Sequence, residues 1–221
     1  MTTLRTHGWR LALVLAGVLI ALGGRLHPDA ESTDPLRQEL ATMTAHENWV
    51  PGHALIMFGT FALVAGLWLA RATGVWAEAR RALTVAAVAM SLYAVETVFH
   101  LAASVDAHAL AHGDAAPVAF THVGLSVVLY PLAGGALAAL GVRLVRTLSG
   151  VRRIPPLLAV VAGVMHGLSV PATLLLPDAE LSPMFAIGGM GMALWAIGSG
   201  LLGAGRARVV EDGVAKVPVH V

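Results

Sequence analysis

The chain of 221 residues is 57% hydrophobic and 12% charged, with a formal net charge of +1. A soluble domain carries about a quarter charged residues, so an ordinary water-facing surface is excluded, and the lack of any Lys/Arg run excludes a nucleic-acid patch. Cysteine is absent, which rules out disulfides, thiolate-held zinc or Fe–S clusters, and haem attached through C-x-x-C-H.

Charged residues divide the sequence into six apolar stretches, rich in Ala, Leu, Val and Gly, without the alternation a membrane barrel needs. The pattern predicts an all-α bundle of six transmembrane helices forming a single domain over 1–221. At about 1.5 Å rise per residue, a span of about 20 residues crosses the hydrocarbon. The first helix is expected near 9–25, around the uncharged run Leu11–Gly24. Its basic start and small residues Ala21–Gly24 also describe a secretory signal. Anchoring by Trp9 and Arg10 at one interface and Arg25 at the other favours a retained helix.

A long connection follows, in which HPDAESTDP marks turns and Leu36–Ala45 is expected to form a short amphipathic helix on the membrane surface. The second and third helices are expected near 50–70 and 82–103, the latter interrupted by Glu96. The connection 104–117 carries Asp106, His108, His112 and Asp114. The fourth helix is expected near 118–142, kinked at Pro131 with Gly134 and Gly135. The fifth and sixth are expected near 154–177 and 183–204. Gly188, Gly189 and Gly191, interleaved with Met184, Met190 and Met192, read as close-packing positions or, more sharply, as a methionine path for copper.

The basic residues fix an expected orientation in the cell membrane. With both termini cytoplasmic, twelve fall inside: Arg5, Arg10, Arg71, Arg80, Arg81, Arg143, Arg146, Arg152, Arg153, Arg206, Arg208 and Lys216. Arg25 and Arg37 alone fall outside, the asymmetry expected of a multi-pass protein. Asp29, Glu31, Asp34, Glu39, Glu47, Asp106, Asp114, Asp178 and Glu180 then lie on the outer side.

Ten histidines in so apolar a chain require an explanation. His53, His100, His122 and His166 fall one on each of the second to fifth helices, where ionisable groups are costly and turn to the bundle interior. His53, His100 and His122 lie about one turn from the outer ends, with Glu96 a turn below His100 and His166 deeper still. Imidazoles with one carboxylate suit zinc, iron, copper or manganese, and three histidines leave a position open for a reactive water. The expected metal site is therefore His53, His100, His122, His166 and Glu96, with Glu96 a ligand or a catalytic general base acting on a small-molecule or lipid substrate.

Met57 and Met165 would add soft ligands, while Thr97, Ser126, Tyr130 and Ser169 would supply supporting hydrogen bonds. His46, Glu47, His108 and His112 would form a vestibule or a solvated loop. A second reading pairs His53 with His122 across a b-type haem. One histidine on each of four successive helices resembles the cytochrome b561 pattern, which implies two haems towards opposite faces and electron transfer; here three histidines share one face. A third reading is a proton-coupled transporter or channel. Against all three stands simple packing, in which each buried polar pair holds helices together by about 1 kcal/mol.

Overall fold

The computed structural model describes residues 2–28, 34–177 and 179–203. These form six long helices, α1 (Thr2–Leu26), α3 (Trp49–Ala72), α4 (Arg80–Ala102), α6 (Pro117–Thr147), α7 (Ile154–Leu175) and α8 (Ser182–Leu202), and two short ones, α2 (Leu36–Ala45) and α5 (Ala107–His112). Among the described residues there is no strand. The six long helices are apolar enough and long enough to cross a membrane, and the chain is a multi-pass membrane protein. Asp29, Glu31, Asp178, Arg206, Arg208 and Lys216, counted in the charge asymmetry, lie outside the described residues.

The expected boundaries hold to within a few residues except at two ends. The first helix reaches back to Thr2, and α6 continues to Thr147. In α6 the extra turn carries Arg143 and Arg146, whose long stems let an apolar helix run on into the interface. Pro131 lies inside this helix, which continues unbroken past it.

The long helices form a closed ring in chain order: α1 packs on α3, then α4, α6, α7 and α8 follow, and α8 returns to α1. Neighbours run antiparallel, as cross-ring pairs such as Trp68 with Ser91 and Trp49 with Leu101 require. Small residues let the helices approach. A Cβ on Gly134 would strike the carbonyl of Gly163, and one on Gly163 would strike that of Gly134, so α6 and α7 touch backbone to backbone. Outward from the ring stand Leu11, Leu15, Val85, Val88, Val95, Leu157 and Leu194, the face a lipid tail solvates.

The two ends differ. One gathers the arginines and is filled by Leu13, Leu63, Leu67, Leu83, Leu137, Leu140, Leu144 and Trp195, all fully buried. There Trp9 meets Trp76 edge-on at 5.3 Å, and Trp76 holds a left-handed backbone at φ 59°. Arg10 donates from Nε to Gly200 O at 2.7 Å and from its terminal nitrogen to Leu201 O at 2.6 Å, satisfying the last carbonyls of α8 with a cation at the negative end of the helix.

The other end gathers the histidines under a small cap. Here α2 docks on α5 as well as lying across the ends of the long helices, and Leu40, Trp49, Ala103, Leu110, Ala116 and Ala119 form a satellite core. Asp106 Oδ2 accepts the backbone N–H groups of Val118 at 2.7 Å and Ala119 at 3.0 Å, capping the start of α6. Arg37 donates to Asp114 O at 2.9 Å and lies over the ring of Phe120.

Candidate metal centre

Five side chains from four segments meet at the histidine end. His53 comes from the second turn of α3, and its Nδ1–H donates to Trp49 O at 2.7 Å. A carbonyl can only accept, so the lone pair sits on Nε2, which is buried and without a hydrogen-bond partner. His27, just beyond α1, likewise commits Nδ1–H to a carbonyl, that of Pro28 at 2.8 Å. His53 is held as metal-ligating histidines commonly are: one nitrogen fixed to a carbonyl, the other presented as donor to the ion.

From α4 comes His100, with its ring centroid 4.4 Å from that of His53 and stacked on His122 at 3.9 Å. Four residues earlier on the same face, Glu96 is fully buried. Its Oε1 shares a hydrogen bond with His122 Nδ1 at 2.6 Å and lies 3.6 Å from His100 Nδ1. Its Oε2 is buried with no partner. A carboxylate deep in an apolar bundle with one oxygen unsatisfied is expensive unless something cationic or protic answers it.

Two groups among the described residues are spaced to hold a metal ion: His27, His53 and His100, and Glu96, His100 and His122, with donor atoms within 4.8 Å of one another in each. His100 belongs to both. Trp49 closes one side, stacked on His53 at 3.8 Å and donating its indole N–H to Leu101 O at 3.2 Å. No family model, curated protein or solved structure matches this chain.

His53, Glu96, His100 and His122 come together, whereas His166 falls in neither group. It stacks on Tyr130 at 4.2 Å with Tyr93 edge-on at 5.0 Å, deeper in the ring, with Nε2 buried and unpartnered. The supporting hydroxyls are spent elsewhere: Thr97, Ser126 and Ser169 each donate to a carbonyl three residues back on their own helix. His108 and His112 stack on each other, exposed on α5 and outside both groups. His46 accepts from Asn48 N–H in the turn before α3.

The haem pairing is not supported. His100 is stacked on His122 and packed against His53, so an imidazole occupies the slot that a macrocycle between those two ligands would need. Sequence reasoning missed His27 by assigning it to a loop. Its signal was small residues: Gly23 on α1 and Gly52 on α3 pack together, which brings the end of α1 beside the start of α3 and so His27 beside His53.

Proposed function

We propose that this multi-pass protein binds a transition-metal ion at its histidine end, held by His27, His53 and His100, for chemistry on a small external or membrane-soluble molecule. The observation that carries the reading is His53, an apolar-buried imidazole whose Nδ1–H is committed to a carbonyl and whose Nε2 lone pair has no protein partner. Such a group is costly in a membrane unless it is used. Imidazole donors suit zinc, copper, iron or manganese more than hard cations such as magnesium. An ion with three protein ligands keeps a position open for water or substrate. Glu96, one turn from His100, stands near enough to serve that position or to ligate.

The arginine asymmetry supports an outward-facing site with both termini cytoplasmic. A continuous path for ions or protons has less support. Below Glu96 and the Tyr93–Tyr130–His166 layer, the ring is filled by leucines and tryptophans, with Ser199 the one buried hydroxyl near the arginine end among the described residues.

Elemental analysis of detergent-purified protein, with a visible spectrum of the same sample, tests the proposal. A near-stoichiometric transition metal is expected, without a Soret band, lost in His100→Ala and kept in His112→Ala. Equal metal in both variants and the parent, or none in the parent, would overturn it.

A further inference from the structure

We propose that the histidine end is a two-ion centre, in which Glu96, His100 and His122 hold a second transition-metal ion and the His100 imidazole is shared between the two positions. The inference rests on the single-ion reading above and extends it to a separate donor set. Three observations carry it. The ring of His100 lies between His53 at 4.4 Å and His122 at 3.9 Å, so it is the physical boundary between the two groups. Its Nδ1 is turned to Glu96 Oε1 at 3.6 Å, which leaves Nε2 on the opposite edge of the ring. The second position also has an unanswered charge requirement, since Glu96 Oε2 is fully buried and makes no hydrogen bond.

The donor set suits the same class of ion as the first. Two imidazoles and one carboxylate match zinc, copper or iron, and the carboxylate supplies the negative charge that the all-imidazole position lacks. Binding has a defined proton balance. One proton bridges His122 Nδ1 and Glu96 Oε1 at 2.6 Å, so an ion entering between them takes its place: His122 ligates as a neutral imidazole with its hydrogen on Nε2, and any further proton held by the pair leaves to solvent. If His100 bridges, its remaining N–H proton is lost as well and the ring serves both ions as imidazolate. No electron is transferred in either step.

The two positions draw on different parts of the chain. His27 and His53 belong to α1 and α3, whereas His122 belongs to α6; α4, which carries both Glu96 and His100, is the seam. One group can therefore be removed without dismantling the other.

The test uses copper(II) as probe on the full-length, metal-stripped protein in detergent, with bound copper counted and the spin signal followed by electron paramagnetic resonance. Two equivalents are expected, with the spin intensity at saturation far below that of two isolated ions, because a shared imidazolate couples them. Glu96→Gln and His122→Ala should each fall to one equivalent with full spin intensity, and so should His27→Ala, acting on the other position. Size-exclusion profiles matching the parent certify that these variants fold. One equivalent in the parent overturns the two-ion centre and leaves the single-ion proposal standing. Two equivalents at full spin intensity overturn the shared ligand. No copper in the parent overturns both proposals.

Discussion

The arginine end and the histidine end of this ring are built from the same six helices, yet they solve opposite problems. At the arginine end, apolar side chains fill the interior and Arg10 meets the carbonyls of Gly200 and Leu201, while the only buried polar side-chain atoms without a partner among the described residues there are the neutral indole N–H groups of Trp76 and Trp195. At the histidine end, His53 Nε2 and Glu96 Oε2 are buried and unsatisfied, in a medium where each such atom costs on the order of a few kcal/mol. The unpartnered indoles at one end are donors that no cation can answer, whereas the lone pairs at the other carry a cost that a bound ion would offset. Stability and binding should therefore respond separately to substitution at the two ends.

The largest expected effect is at the arginine end. Trp195→Ala removes a fully buried side chain from the packed ring and should cost about 3–5 kcal/mol of stability, read as a lower melting temperature in detergent. Its metal content, measured below that temperature, should remain that of the parent. Loss of metal in a still-folded Trp195→Ala protein would show that the two ends are not separable.

The reciprocal substitution is His53→Leu. Replacing a buried polar group by an apolar one of similar volume is often neutral or stabilising, so the metal-free melting temperature should match or exceed the parent's. The added stability that metal at a hundredfold excess over its Kd confers, about 2.7 kcal/mol, should vanish. A metal-free protein that instead melts far below the parent would assign His53 to packing.

Arg10→Ala sharpens the contrast from the other side, since it leaves two carbonyls of α8 unanswered. A loss of about 1–2 kcal/mol is expected, again with unchanged metal content. The smallest effect belongs to the cap. Burial, and then the neighbouring Asp34, raise the carboxyl of Glu39 above its ordinary 4.5. A raised acid keeps its proton in the folded state after the unfolded chain has released it, so stability falls as pH rises above about 4.5. Glu39→Gln should flatten that slope in melting curves recorded between pH 4 and 7, and a slope unchanged from the parent would place its origin elsewhere.

Much of this contrast is legible in the amino-acid sequence itself. Hydropathy and charge punctuation locate the six helices because, in hydrocarbon, backbone groups leave few alternatives to a helix about 20 residues long. Four of the five expected site residues converge because depth along a helix can be counted from its ends. Rotation about each helix axis and the crossing of neighbours cannot be counted in that way, and His166 shows the consequence. It sits on the expected inner face but pairs with Tyr93 and Tyr130 rather than with Glu96. His27 escapes for the complementary reason, since its position depends on where α1 stops against α3 and not on any periodicity of its own.

The order in which the ring's members occur along the chain bears on its biogenesis. His27, His53 and His100 all lie before residue 103, on segments that leave the ribosome before α6, α7 and α8 exist. A nascent chain inserted only through α4 already holds every donor of the first group, and α1 still lacks α8, the neighbour that later closes the ring. An ion captured at that stage would tether three segments of an open arc, and would then serve as a template for membrane assembly before it filled a finished site.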